Sequence, residues 1–343
     1  MKAVYLNGHG GNEVVQIGTR PRPTAQAGDV LLRMKASTLN QVDLYMRNSG
    51  AGITHQLPQI MGLDGTGVIE SAPNDPILMS GQRVIVHPGI GCGRCEYCLR
   101  GEAVLCTRMS LLGEHRDGTW AEWVSLPARN IFPCPEHLDD VEAAALGVNH
   151  LTAWRMLMNK ARLQPWETVL IFGVGGGVSV AALQLAHALG ARTLVTSRHE
   201  DKLERARSLG ADVTIHSPSQ DIVKTVMAQT NGRGVDVVIE NVGTDVWSAA
   251  MKSLVRGGRL VTCGATTGDQ PGADLRRLFI RQLQVLGSTL GDLHEMNDLL
   301  AFVNRHQLRP VIDQVFALDE AHAALDRLAS ARQFGKVGLR IHP

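Results

Sequence analysis

The chain has 343 residues, 44% of them hydrophobic, with 34 Lys and Arg against 33 Asp and Glu; it is long enough for a large core without disulfide staples, and two domains are expected. The balanced charge gives no field for nucleic acid or an anionic membrane, no apolar run approaches the roughly 20 residues of a membrane helix, and the Met1–Leu6 start turns polar too soon for a signal peptide. Disordered, fibrous, membrane and secreted disulfide-rich classes are set aside, which leaves a soluble, glycine-rich protein expected in the cytoplasm.

Up to about residue 145 the chain reads as short strands punctuated by Pro and Gly, an antiparallel β region with loops. Val30–Ala36, Gly67–Glu70 and Arg83–Val86 are the clearest of these strands. After Pro165 the texture changes. Thr168–Phe172 is a continuous apolar run, as in a strand buried on both faces. A glycine turn follows, then a helix over Val180–Leu189, a strand at Arg192–Thr196 and a polar helix over Asp201–Leu209. Further strands are expected at Val213–Ile215, Val235–Ile239, Arg259–Cys263 and Gln284–Gly287. Strands alternating with helices predict a parallel, doubly wound sheet. From Leu293 the tail gives a helix, a strand near Val315, a helix through Leu318–Ser330 and a last strand at Lys336–Arg340, and is expected to return to the first region.

Four of the six cysteines, Cys92, Cys95, Cys98 and Cys106, stand as C-x2-C-x2-C-x7-C. Short loops that bring four thiolates to one point build a tetrahedral zinc site. Four sulfurs leave no open position, so the site is structural. The rival iron–sulfur run continues with three residues and Cys-Pro, whereas here the gap is seven and Thr107 follows. Cys134 and Cys263 read as packing thiols.

Gly173-Val174-Gly175-Gly176-Gly177-Val178-Ser179 lies between a buried strand and a helix, where bare backbone and a helix N-terminus together cradle a dinucleotide pyrophosphate. Ser179 stands in place of the third glycine. At the end of the second strand, Ser197-Arg198-His199 carries no acid, and Lys202 adds a cation. An Arg there suits the 2′-phosphate, so NADP(H) is preferred over NAD(H). Glu200 and Asp201 follow, where acids also suit the start of a helix.

A zinc-binding lobe ahead of a nucleotide fold, Leu151-Thr152-Ala153-Trp154, the glycine turn, Asp201-Lys202-Leu203 and the closing Gly335-Lys336-Val337 together resemble the medium-chain dehydrogenase/reductase superfamily over essentially the whole chain. The resemblance implies a Rossmann domain over 148–290. It also implies a mainly antiparallel, GroES-like catalytic domain over 1–147 and 291–343, with the zinc lobe at about 91–107. It places Thr152 at the pocket wall, Asn241 near a ribose, Gly264, Ala265 and Ser288 beside the nicotinamide, and Lys336 within reach of the cofactor. Edge-strand pairing in this family implies a homodimer or homotetramer.

The zinc alcohol dehydrogenases of that superfamily hold a catalytic zinc through a cysteine, a histidine and a later cysteine or acid. The matching positions here are Asn40, Leu63 and Val148, with Asp64 at the acid beside the histidine. Leu and Val cannot ligate a metal, and an open zinc site needs three protein ligands. One structural zinc and no catalytic zinc are therefore expected. Asn40 with Asp43, Tyr45 and Arg47 is similar to the quinone oxidoreductase branch. The resemblance then implies NADPH-dependent reduction of a small quinone, enone or other carbonyl compound, in which hydrogen-bond donors replace the Lewis acid. Asn40 is the first candidate to orient the acceptor, and the alternative is a turn residue bonded to its own backbone. Tyr45 is a candidate donor or a packing residue, and His150 a candidate general acid or a satisfied structural histidine. The rival functions are an alcohol dehydrogenase with unusual zinc ligands and a non-enzymatic NADPH-binding protein. Substrate choice is expected to depend on the loops Asn48–Gln59 and Leu111–Trp120.

Overall fold

A computed structural model describes residues 1–53, 55–72 and 77–342; Thr54 of the first expected pocket loop lies outside them. The chain divides into two units, Met1–Leu151 with Leu290–Pro343, and Thr152–Thr289.

The first unit is mainly antiparallel. One small sheet sets Val15–Thr19 and Gln59–Ile60 on either side of Lys2–Leu6. The larger sheet runs Ile131–Pro133, Arg83–Val86, Gly65–Ser71, Asp29–Thr38, Lys336–Arg340 and Ile312–Ala317, and Trp123–Pro127 also pairs with Asp29–Thr38. Its strands alternate, so Val30, Leu32, Met34, Ile69, Val84 and Val86 point into one apolar cluster. The tail does return: Gly338 pairs with Thr38 and Arg340 with Ala36. That register delivers Lys336 beside the end of the Asp29–Thr38 strand, where the Leu39 N–H donates to the Val337 carbonyl at 2.9 Å. The Gln41–Ser49 helix starts there, with Asn40 as its cap, and the Asn40 N–H donates to the Asp43 carboxylate at 2.7 Å.

The second unit is a six-stranded parallel sheet in the order Val213–His216, Arg192–Ser197, Thr168–Ile171, Val235–Glu240, Leu254–Thr262, Gln284–Gly287. Strand order reverses beside Thr168–Ile171, which is where open α/β sheets bind ligands at their carboxyl ends. Leu170, Phe172, Leu194, Val238 and Leu260 form its core. One strand departs from expectation. It spans Leu254–Thr262 rather than Arg259–Cys263, because Val235 pairs with Leu254 while Val237 pairs with Arg259, and the intervening residues bulge out with Gly257 at φ 74°. Among the described residues no helix is long and apolar enough to cross a membrane.

Candidate active site, cofactor cradle and metal centre

The four Sγ atoms of Cys92, Cys95, Cys98 and Cys106 lie within 4.8 Å of one another. Cys92 and Cys98 are 4.0 Å apart. Sulfurs at about 2.3 Å from a tetrahedral zinc stand roughly 3.8 Å from each other, so this set fits zinc with a small contraction. Gly93, at φ 74°, allows the first turn, and a side chain at Gly91 would press on Cys98 Sγ at 3.1 Å. The backbone N–H groups of Cys92 and Arg108 donate to Cys106 Sγ at 3.3 and 3.4 Å, which orients that sulfur. The lobe is tied to the tail by Asp292, which accepts from the Val104 N–H at 2.7 Å. Burial pushes the thiols of Cys134 and Cys263 up to about 12, as befits unreactive packing residues.

Asn40 and the immediate chain neighbours of Leu63 and Val148 approach one another in the first unit. A Cβ on Gly147, beside Val148, would lie 3.0 Å from Asp64 Cβ, and Asn40 Nδ2 donates to Asp64 Oδ2 at 3.0 Å. Asp64 is fully buried. It also accepts from Thr38 N at 2.9 Å and from Thr38 Oγ1 at 2.7 Å. Lys336 completes the set. Its ammonium donates to Asn40 Oδ1 at 2.6 Å and to the Leu39 carbonyl at 2.8 Å, and lies 3.4 Å from Asp64 Oδ2. A cation of the chain itself therefore sits against the asparagine and the acid. Burial pushes the Lys336 ammonium down and Asp64 opposes that shift; burial likewise pushes the Asp43 carboxyl up, against the Asn40 N–H that bonds it.

This arrangement changes the roles expected of several residues. Lys336, expected at the cofactor, is 2% exposed and directs its donors to Leu39, Asn40 and Asp64. Asn40 is also buried, and its amide N–H groups are held by Asp64 and, at 3.4 Å, by the Thr38 carbonyl. Tyr45 lies on the exposed side of its helix, away from the buried Asp43, Leu44 and Met46. His150 is buried with Nδ1 on the Ala145 carbonyl at 3.2 Å, a partner five residues back on its own helical segment.

Glu114 was not expected from sequence. It is 6% exposed, and its carboxylate has no hydrogen-bond or ion-pair partner among the described residues. Burial alone pushes it up to about 7. The preceding Gly113, at φ 72°, packs on the Gly62 backbone, where an added Cβ would come within 2.6 Å of the Gly62 carbonyl. Glu114 thus joins the segment that carries Leu63 and Asp64, and its charge is felt by Asp43.

In the second unit the glycine turn caps the Gly177–Leu189 helix, with Gly176 as its cap and Val178 in its first turn. Gly173 and Gly175 have φ 66° and 123°, conformations that side chains rarely adopt. Gly176 has ordinary backbone angles, and a Cβ there would meet only the Gly173 carbonyl at 3.7 Å. The open space is what a phosphate needs. Ser179 Oγ donates to the Phe172 carbonyl at 2.8 Å, and Asn241 Nδ2 donates to Ser179 Oγ at 3.1 Å, so serine and Asn241 together lock the turn. Lys202 packs beneath Gly175. Ser197 is buried and Arg198 exposed at the end of the second strand. At the carboxyl ends of the last two strands lie Gly264, Ala265 and Ser288; the Ser288 hydroxyl is buried without a partner, a donor suited to a bound nicotinamide nucleotide. Thr152 is buried at the head of this unit.

The chain is similar to known proteins throughout. The Alcohol dehydrogenase GroES-like domain family matches residues 26–136, and the Zinc-binding dehydrogenase family matches residues 177–305. An alcohol dehydrogenase of Geobacillus stearothermophilus is 30% identical over 344 residues, covering 99% of each chain. An NAD-dependent alcohol dehydrogenase of Sulfurisphaera tokodaii is 30% identical over 330 residues, 92% of this chain and 93% of that one. A crystal structure of an NAD-dependent alcohol dehydrogenase superposes with a TM-score of 0.96 at 40% identity over the full length of both chains. The alcohol dehydrogenase of Aeropyrum pernix gives 0.90 at 29% identity, covering 99% of this chain and 100% of that one. With its GroES-like and Rossmann units and its four-cysteine cluster, the chain belongs to the zinc-type alcohol dehydrogenase-like medium-chain dehydrogenase/reductase superfamily and is an NAD(P)-dependent oxidoreductase.

Proposed function

We propose that the chain is an NADPH-dependent reductase that transfers hydride to a quinone or an α,β-unsaturated carbonyl compound without a catalytic zinc. The observation that carries this reading is the Asn40–Asp64–Lys336 cluster. At the three ligand positions of the zinc enzymes stand an amide with its hydrogen bonds already made, a leucine and a valine. A Lewis acid supplied by metal has no open set of ligands there. Conjugated acceptors delocalise the charge that hydride addition creates and need less stabilisation than a simple ketone.

Bound NADPH supplies the hydride. Gly176 and the N–H groups of the Gly177–Leu189 helix would hold its pyrophosphate, Ser288 its nicotinamide end, and Arg198 its 2′-phosphate. Asn40 is fixed in one rotamer by Asp64 and Lys336 and is a positioning residue. Glu114 is the candidate proton donor. Its carboxyl titrates near neutral pH and can hold a proton that an enolate or quinol anion then takes. Exposed Leu275, Phe279 and Ile280, with Val285 on the edge strand, support a homodimer or homotetramer that pairs through this edge.

The relatives named alcohol dehydrogenases supply the rival: carbonyl reduction at a second zinc. Metal analysis of the purified protein tests it. About one zinc per chain with full NADPH-dependent turnover is expected; about two, with turnover lost when the second is stripped, supports the rival. A protein that binds NADPH tightly and turns over no quinone, enone or ketone would instead be a non-enzymatic binder.

A further inference from the structure

We infer that the nucleotide-binding unit carries a second ligand site, at the amino-terminal edge of its parallel sheet, for a small multivalent oxyanion of the phosphate type. A cavity of about 470 Å³ opens there between Glu167, Arg233, Asp236, Arg256, Arg259 and Arg281. Glu167 precedes the Thr168–Ile171 strand, Arg233 the Val235–Glu240 strand and Arg281 the Gln284–Gly287 strand, while Arg256 and Arg259 flank the Gly257–Gly258 bulge. The cofactor cradle lies at the other, carboxyl edge. Strands of four to six residues separate the two by roughly 13–20 Å.

The charges in this cavity do not cancel. Glu167 is taken by Arg259 Nη2 at 2.5 Å. Asp236 is taken by Arg233 through both oxygens, at 2.9 and 2.6 Å. Arg256 and Arg281 have only carbonyl partners, Ile280 at 3.0 Å and Leu254 at 2.9 Å. Arg277 stands close by, bonded to the Met251 and Lys252 carbonyls. The Nε atoms of Arg259 and Arg281 are shielded from solvent and have no hydrogen-bond partner. Burial, then Arg277 and Arg256, push the Arg281 guanidinium below its ordinary value. Crowded like charges are relieved by an anion that accepts several hydrogen bonds at once from the accessible ends of the guanidinium groups. Guanidinium forks match phosphate oxygens in this way. More than one uncompensated cation calls for more than one negative charge. A monovalent anion would leave Arg256 or Arg281 unmatched.

Calorimetric titration of the full-length protein with inorganic pyrophosphate, at constant ionic strength and with and without saturating NADPH, tests this site. With NADPH saturating, so that the cofactor cradle is filled, one pyrophosphate per chain is expected, and this binding should persist in Gly176→Val. Affinity should fall at least tenfold in Arg256→Gln/Arg281→Gln, and measurably in Arg256→Gln alone, whose side chain is exposed and whose loss leaves the fold intact. Three results overturn the proposal: no binding beyond the ionic-strength control, equal binding by the arginine variants, or binding abolished by NADPH and by Gly176→Val, which assigns the pyrophosphate to the cofactor cradle. Folding of the variants is checked by unchanged NADPH affinity, or by circular dichroism if NADPH does not bind.

Discussion

A single buried ammonium, that of Lys336, holds the candidate active site together, and its surroundings predict how it responds to mutation. Asp64→Ala removes its carboxylate and leaves a charge in the interior, a change that costs about 3–5 kcal/mol. Lys336→Met keeps the bulk, and Asp64 still accepts from Thr38 and Asn40, so the loss should be smaller. Urea unfolding of the two variants compares them directly. Glu114 gives a second prediction. Its folded pKa, about 7, stands above the ordinary 4.5, so its contribution to stability is full below 4.5 and is lost as pH rises through 7. The shift corresponds to at most ~3 kcal/mol. Glu114→Gln should flatten the stability difference between pH 5 and pH 8. It should also lower kcat and abolish the fall in wild-type rate above pH 7, leaving KM for NADPH unchanged. Asn40 was legible from the family pattern of its neighbours. Glu114 was not, because Gly-Glu-His-Arg-Asp reads as a solvent-facing turn. Its burial comes from Gly113 packing on Gly62, 51 positions earlier in the chain, a contact that no local pattern announces.

The glycine turn joins a strand to a helix, and its residues divide the work. Gly175 is bound by conformation: φ 123° and a Cβ within 2.6 Å of Lys202 Cδ make Gly175→Ala destabilising. Gly176 has no such conformational demand and would be constrained by the bound phosphate instead. Gly176→Val should keep the melting temperature within a few degrees and weaken NADPH binding more than tenfold, measured by fluorescence titration. The two variants together separate a folding requirement from a binding one. Most elements of this unit were legible because its central parallel strands are largely apolar runs and two of its helices run into Gly190 and Gly210. The Leu254–Thr262 strand was misjudged by five residues at its start, since Arg256-Gly257-Gly258-Arg259 reads as a turn. The structure absorbs that turn as a bulge, and the bulge forms part of the arginine-lined cavity.

At the scale of the whole molecule, the cysteine lobe and the hydride chemistry should be separable. Cys95→Ser should lower the zinc content from about one per chain to near zero and the melting temperature by roughly 5–10 °C, with KM for NADPH within twofold of wild type. Arg198→Ala should bring the kcat/KM values for NADPH and NADH closer by at least tenfold, since on the proposed reading a guanidinium at this strand end would favour the phosphorylated ribose. Two-unit architecture, metal lobe and cofactor class were all legible, because each rests on spacing or periodicity within a short stretch. The Asn40–Asp64–Lys336 cluster was legible only in its members, because pairing the last strand with the third brings together residues 296 positions apart. The most direct test of a hydride transfer that works without a catalytic metal is the product formed from NADPH and an α,β-unsaturated aldehyde, identified by mass and retention. The expected product is the saturated aldehyde, with hydride on the conjugated carbon. An allylic alcohol would mean that the carbonyl itself is polarised, and would contradict it.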